Sequence, residues 1–185
     1  MAQRKLNHHE QLISGLRNRN RDAQFEIYHL YNVAMFNTSL RIVKDRAEAE
    51  DVLQEAFLAA FTKIDHYKGD STFGAWLKRI VVNKSINAIQ KRKATLVSVD
   101  EHPLEDVGER EAADPNSPLW NVEQIMQAVD QLPDGYRIVF SLYLLEGYDH
   151  REIAQILNIT EGGSKSQYNR AKKKLREILT AQYHV

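Results

Sequence analysis

Cysteine is missing from this chain of 185 residues, and proline and glycine are scarce, with four and eight residues respectively. The lack of cysteine excludes a disulfide framework, a thiolate metal site and a cysteine nucleophile. No apolar run is long enough to span a membrane, and the N-terminus MAQRKLNHHEQLISGL contains no apolar signal-peptide core. Together these absences predict a soluble cytoplasmic protein in a reducing compartment.

The common motifs of catalytic and cofactor sites are absent as well. None of the seven histidines pairs in the H-x-x-x-H or H-E-x-x-H spacing of zinc sites, and no glycine-rich phosphate loop or G-x-S-x-G motif occurs. Lone histidines such as His66 and His150 are more often surface residues than metal ligands. The sequence therefore predicts no enzyme activity, no metal or other cofactor, and no small-molecule substrate.

Charge is balanced in total but strongly segregated along the chain. The 25 Lys and Arg residues match 25 Asp and Glu residues. Residues 73–93 nevertheless contain six cations and no acid, and residues 161–176 contain six cations and one acid. Between them, residues 95–121 contain seven acids and one arginine. Two basic segments separated by an acidic one favour nucleic-acid binding more than the neutral total suggests.

Helical periodicity predicts an all-α fold of two small helical domains joined by an acidic, flexible linker. Side chains that can cap helix N-termini occur where the helices should begin, at Asp22, Asp45, Asn121, Asp149 and Thr160. Periodicity fails between the two basic segments, where prolines and acids indicate an extended linker. The predicted parts are an N-terminal extension over residues 1–21, a first domain over 22–94, the linker over 95–121 and a second domain over 122–185.

The first basic segment, Phe73 to Lys93, has the pattern of an amphipathic helix. One face is apolar, and another carries Trp76, Arg79, Asn83 and Asn87. An exposed aromatic ring can stack on a base, a cation can meet phosphate, and amides can hydrogen-bond to base edges. The face therefore suits single-stranded or melting nucleic acid. The alternative is a basic surface helix in which Trp76 is half-buried in the core.

An acidic row precedes this helix. Glu48, Asp51 and Glu55 recur at helical spacing on one face, with Gln54 beside them. Carboxylates in one row repel each other unless a basic partner faces them. The row therefore indicates either a docking surface for an arginine-bearing helix or an ordinary solvated acidic face.

The C-terminal segment has the lengths of a helix-turn-helix unit. A helix over residues 149–157 is followed by a turn at Asn158, which tolerates the left-handed conformation, and by a long helix from Glu161. Cations and small polar groups point outward on this last helix, as is typical of side chains that read the major groove: Lys165, Ser166, Asn169, Arg170 and Lys173. The alternative is an exposed basic helix that closes a bundle.

Three segments of the chain resemble the motifs of one protein family, in the family's order. They are AEAEDVLQEAF (47–57), GDSTFGAWLKRIVVNKSIN (69–87) and LPDGYRIVFSLYLLEGYDHREIAQILNITEGGSKSQYNRAKKKL (132–175). The family is the extracytoplasmic-function (ECF) group of sigma factors within the sigma-70 family. The resemblance implies that residues 22–94 are sigma region 2 and residues 122–185 are sigma region 4.

The resemblance also implies roles in transcription initiation by RNA polymerase. The acidic row would dock on the arginine-rich clamp helices of the large polymerase subunit through Glu48, Asp51, Gln54 and Glu55. Loop 65–72 and the first basic helix would hold the non-template strand of the minus-ten element through Tyr67, Trp76, Lys78, Arg79, Asn83 and Asn87. The last helix would read the minus-thirty-five element as duplex through Lys165, Ser166, Asn169, Arg170 and Lys173. The implied partners are promoter DNA, core polymerase with its clamp helices and flap, and an anti-sigma factor, which in this family is often membrane-anchored.

The start of the last helix departs from the family pattern. Residues 162–167 read GGSKSQ where many members have a Gly-Thr-Val-Lys-Ser-Arg-like run, so Ser164 replaces an apolar packing residue and Gln167 replaces a cation.

Two other functions stay open on the residues alone. One is a stand-alone helix-turn-helix regulator that dimerises and needs no polymerase. The other is a protein-interaction adaptor whose basic helices meet an acidic partner.

Overall fold

The computed structural model describes residues 2–95 and 120–183, and every regular element within these ranges is helical. The predicted all-α fold is confirmed. The chain divides into two compact units, Met1–Val97 and Ser98–Val185. Residues 96–119 of the predicted linker lie outside the described residues. No helix in the described ranges is both long enough and apolar enough to cross a membrane.

The first unit is a bundle in which α4 packs against both α2 and α3. Its elements are α1 (Ala2–Arg17), α2 (Arg21–Val43), α3 (Arg46–Thr62), a 3-10 turn (Ile64–His66) and α4 (Phe73–Thr95). Asp45 caps α3 as predicted, because its side chain accepts from the backbone N–H of Glu48 at 2.8 Å. The predicted cap at Asp22 is wrong. Asn20 caps α2 instead, since its Oδ1 accepts from the N–H groups of Asp22 and Ala23.

The predicted N-terminal extension is part of the core of the first unit. Leu12 and Leu16 of α1 are buried in the same apolar cluster as Ile27, Phe73 and Leu77. α1 also lies very close to α2, because a Cβ built at Gly15 would lie only 2.7 Å from the Cβ of Ala23. Burial of these leucines makes α1 a structural element of the unit rather than an appended tail.

The second unit is organised around its last helix, which packs against the three helices before it. Its elements are α5 (Val122–Asp130), α6 (Asp134–Phe140) with a π-helical turn (Ser141–Leu145), α7 (His150–Leu157) and α8 (Glu161–Tyr183). The predicted caps are confirmed at Asn121, Asp149 and Thr160, whose side chains accept from the N–H groups of Gln124, Glu152 and Gly163. Ala171, Leu175 and Leu179 of α8 are buried, so the helix turns its basic residues outward.

Candidate nucleic-acid and partner interfaces

The acidic row of α3 lies along a cleft that α4 lines on the other side. Lys84 Nζ donates to Glu55 Oε2 at 2.8 Å, and Arg92 Nη1 donates to Glu48 Oε2 at 3.1 Å. The hydrogen bond and positive charge of Lys84 lower the pKa of Glu55 below its usual value. Two cations of the basic helix are therefore engaged by the row, rather than directed at an outside partner.

Asp51 and Gln54 are the members of the row that stay exposed without such pairing. Both side chains face solvent, and Asp51 makes no hydrogen bond or ion pair with any residue in the ranges 2–95 and 120–183. Glu55 is paired but its side chain is 65% exposed, whereas that of Glu48 is 25% exposed. An arginine-bearing partner could therefore reach Asp51 most easily, Glu55 next and Glu48 least.

The polar face of α4 is open to solvent over most of its length. Arg79, Asn83 and Asn87 are exposed, and Lys78 is half-buried. Asn87 also lines the cleft beside the acidic row. The two surfaces that the sequence presents separately, one acidic and one basic, thus lie side by side on α3 and α4.

Trp76 is half-buried, as expected for the alternative of a basic surface helix whose tryptophan packs partly into the core. Its ring packs on Phe73 at 5.5 Å and on Tyr67 at 5.4 Å between centroids. This packing fixes the ring and leaves part of it at the surface. A half-buried ring can still present one side to a base, and its fixed position reduces the entropy lost on stacking.

The structure corrects the expected position of Tyr67. This residue is buried, with 9% of its surface exposed, because its ring fills the core between Phe73 and Trp76. Its hydroxyl donates to the carbonyl oxygen of Ser71 at 2.7 Å, and its own carbonyl oxygen accepts from Arg17. Tyr67 therefore shapes loop 65–72 from inside and does not offer its ring to DNA. The other residues of the loop are exposed.

The helix-turn-helix unit has the predicted turn. Asn158 adopts the left-handed conformation, with φ 55° and ψ 47°. The predicted outward face of α8 is accessible. Three of its residues are exposed and two are half-buried: Lys165, Asn169 and Lys173, then Ser166 and Arg170. Lys165 Nζ lies 2.6 Å from Glu161 Oε1, which lowers the pKa of that carboxyl. This pair is exposed, so a phosphate can replace the carboxylate at little cost.

A partly buried polar contact joins α7 to α8, and the sequence gives little sign of it. Ser164 is fully buried, and its Oγ lies 2.9 Å from His150 Nδ1. The ring of Tyr143 stacks on His150 at 4.4 Å, with an interplanar angle of 13°. Burial lowers the pKa of His150, and the charge of Lys165 lowers it further. The one signal was a serine at an apolar packing position, which needs a polar partner when buried.

Two family models match the chain, one in each unit. The model for Sigma-70 region 2 matches residues 27–95, and the model for Sigma-70, region 4 matches residues 122–175. The ECF RNA polymerase sigma factor SigW of Bacillus subtilis is 30% identical over 167 residues, which cover 85% of this chain and 89% of SigW. The ECF RNA polymerase sigma factor SigM of the same organism is 29% identical over 153 residues, which cover 83% of this chain and 93% of SigM.

A solved structure shares the fold. It is the co-crystal structure of the sigma factor RpoE with the anti-sigma factor NepR from Bartonella quintana. The similarity has a TM-score of 0.57 at 21% identity, and it covers 85% of this chain and 96% of the matched chain. The two regions occur in the family's order, and the similarity to SigW extends over most of both chains. The chain thus belongs to the ECF sigma factors of the sigma-70 family and is a promoter-recognising RNA polymerase sigma factor that directs transcription initiation.

Proposed function

We propose that the exposed part of the acidic row docks this sigma factor on core polymerase. Asp51 and Gln54 are exposed, and Glu55 keeps most of its surface despite its contact with Lys84. Arginine side chains bind carboxylates with two parallel hydrogen bonds, which suits the arginine-rich clamp helices that the family resemblance implies. Glu48 has a supporting role in this arrangement, because it holds Arg92 across the cleft.

The neighbouring face of α4 holds the non-template strand of the minus-ten element. The observation that carries this assignment is the position of a fixed, half-buried Trp76 on the same helix as exposed Arg79, Asn83 and Asn87. Loop 65–72 precedes this helix, and its exposed residues complete the surface. Lys78 is a further cation of this face. Stacking, phosphate contacts and amide hydrogen bonds together can hold an unpaired strand.

The outward face of α8 reads the minus-thirty-five element as duplex. Its contacts would come from Lys165, Ser166, Asn169, Arg170 and Lys173. Asn169 can form paired hydrogen bonds with adenine, and Arg170 with guanine, whereas the lysines contact phosphates. Each module alone should bind weakly. Core polymerase would bring both to one promoter and raise their effective concentration.

Three further properties follow from this assignment. Sigma factors are regulatory subunits without catalysis of their own, which fits a chain that lacks catalytic motifs. The protein acts in the cytoplasm, where polymerase and DNA are. An anti-sigma factor holds it inactive by covering these surfaces, a proposal supported by the RpoE structure, which was solved with the anti-sigma factor NepR.

Run-off transcription with purified core polymerase tests the function. Promoters from the protein's own genome should give transcripts only when this chain is added. A stand-alone regulator would instead bind duplex tightly without polymerase and start no transcripts. An adaptor would bind its partner with no dependence on promoter sequence. Failure to start transcripts at any such promoter would contradict the proposed function.

Trp76 provides the test of the strand-binding face. We expect Trp76→Ala to slow open-complex formation by roughly fivefold to a hundredfold, because base stacking contributes about 1–3 kcal/mol. Closed-complex binding should stay nearly unchanged. Trp76→Phe is the matched control. It keeps an aromatic ring against Tyr67, so open-complex formation should slow less than in Trp76→Ala. Permanganate footprinting measures the melting, and unchanged melting in Trp76→Ala would remove Trp76 from the proposed site.

A further inference from the structure

We propose that α1 positions loop 65–72 for promoter melting, and that Arg17 is the residue through which it acts. This inference rests on the proposed function, in which the loop and Trp76 hold the non-template strand. α1 ends at Arg17, before residue 27, where the match to Sigma-70 region 2 begins. The family match therefore gives this helix no role.

Arg17 reaches the loop directly. Its Nη2 donates to the backbone carbonyl oxygen of Tyr67 at 3.0 Å, across a sequence separation of 50 residues. Tyr67 in turn donates its hydroxyl to the carbonyl oxygen of Ser71 at 2.7 Å. The first contact fixes the beginning of the loop to α1, and the second closes the loop on itself. Its backbone is thus held at two points.

The same contact supports Trp76. The ring of Tyr67 packs on Trp76 at 5.4 Å and edge-on against Phe73 at 5.6 Å. A shift of the Tyr67 backbone would therefore move the ring against which Trp76 is packed. Arg17 does not need to contact DNA to affect the strand-binding face.

α1 supports the other end of the loop as well. His9 Nε2 lies 2.8 Å from the Tyr31 hydroxyl, and the Tyr31 ring packs on Phe73 at 5.7 Å. A Cβ built at Gly74 would lie only 2.9 Å from Tyr31 Cε1, so this ring lies directly against the first turn of α4. α1 thus contacts the loop at Tyr67 through Arg17, and it contacts Phe73 just after the loop through His9, whose ring lies edge-on to Phe73 at 6.1 Å.

Such support has a physical reason, because the loop buries little of its own surface. Tyr67 is its one buried residue, and the other seven residues are exposed. Ordering an exposed polar loop at the moment of binding would cost conformational entropy. A loop that is already ordered by an outside anchor avoids this cost and binds more tightly. Leu12 and Leu16 fix α1 itself in the core.

The test compares three variants of the full chain, each assembled with core polymerase. Arg17→Ala removes the donor, and Arg17→Lys keeps a donor of the same charge. Arg21→Ala is the control, because it removes the same charge at the start of α2 from a residue that is exposed. The probe is the minus-ten non-template strand, as a labelled oligonucleotide, from a promoter that is active in run-off transcription. Core binding and thermal unfolding are measured in parallel.

We expect Arg17→Ala to weaken strand binding about threefold to tenfold, as loss of one hydrogen bond would. Arg17→Lys should recover part of this loss, and Arg21→Ala should bind like the wild type. Core binding should be equal in all variants. Strand binding that is unchanged in Arg17→Ala, or equally weakened in Arg21→Ala, would overturn the inference. An equal loss of core binding in Arg17→Ala would overturn it too, because that would indicate general destabilisation.

Trp76→Ala separates this inference from the proposed function. If Trp76→Ala loses strand affinity and Arg17→Ala does not, only the role of α1 is wrong. If Trp76→Ala binds the strand like the wild type, the proposed strand-binding face itself is wrong.

Discussion

The acidic row of α3 allows a prediction that compares two effects of each substitution. The residues that matter most for affinity to core polymerase should matter least for the free energy of unfolding, and the reverse. The perturbation is a single carboxylate-to-amide change: Asp51→Asn, Glu55→Gln or Glu48→Gln. Asp51 has no partner in the described part of the chain, so Asp51→Asn should change the free energy of unfolding by less than about 0.5 kcal/mol. The same substitution should nevertheless cause the largest loss of affinity for core polymerase. A hydrogen bond between charged groups contributes about 1.5–3 kcal/mol, or roughly tenfold to a hundredfold in affinity.

Glu48 should show the opposite behaviour. Its carboxylate pairs with Arg92 at 3.1 Å, and the two side chains are 25% and 38% exposed. Since solvent screens such a pair, its loss should lower the free energy of unfolding by about 0.2–1 kcal/mol. Core affinity should hardly change, because little of Glu48 can reach a partner. Glu55→Gln should cause intermediate losses, both of core affinity and of unfolding free energy. The Glu55 carboxylate already pairs with Lys84, but its side chain is 65% exposed.

The assay is binding of the labelled sigma factor to core polymerase at two salt concentrations, with urea unfolding of the free protein in parallel. Glu26→Gln is the control, because Glu26 is an exposed acid on α2, outside the row. The expected order of affinity loss is Asp51, Glu55, Glu48. Equal losses in all three variants would indicate a general effect of charge. A largest loss in Glu48→Gln would refute docking on the exposed side of the row.

Two further predictions concern the second unit. Gly162→Ala should raise its free energy of unfolding by up to about 1 kcal/mol, because a Cβ there meets no atom within 4 Å. Gly163→Ala should gain less, since its Cβ would lie 3.0 Å from the capping Thr160 Oγ1; thermal denaturation compares the two. Burial lowers the pKa of His150, so the native unit binds the proton more weakly than the unfolded chain. Its stability should therefore fall as the pH drops below about 6.5, the ordinary pKa of histidine, and His150→Gln should flatten this fall in pH-dependent unfolding.

Local signals in the sequence were sufficient for four of the five predicted helix caps and for the turn between α7 and α8. Asp149 and Thr160 cap their helices, and Asn158 makes the left-handed turn, because these effects depend on residues within one or two turns of the chain. The same local rules were ambiguous at α2. Asn20 and Asp22 are both good caps, and the choice between them depends on where the chain leaves α1.

Long-range packing could not be predicted from periodicity. Helical spacing shows that a residue is on a given face, but it does not show which other element that face meets. Tyr67 is an aromatic residue in a polar loop, and its burial depends on Phe73 and Trp76, which come from the next helix. The burial of Leu12 and Leu16 likewise depends on a core that forms from distant parts of the chain.

The ion pairs between α3 and α4 change how the segregated charge of the sequence is understood. Counting cations along residues 73–93 suggests a helix whose whole charge is available to DNA. In the folded unit, however, Lys84 and Arg92 pair with acids that lie 29 and 44 residues earlier in the chain. Affinity for a nucleic-acid backbone depends on the cations that actually meet phosphates. The first unit should therefore bind DNA more weakly than its sequence suggests, which supports the proposal that core polymerase holds both units on one promoter.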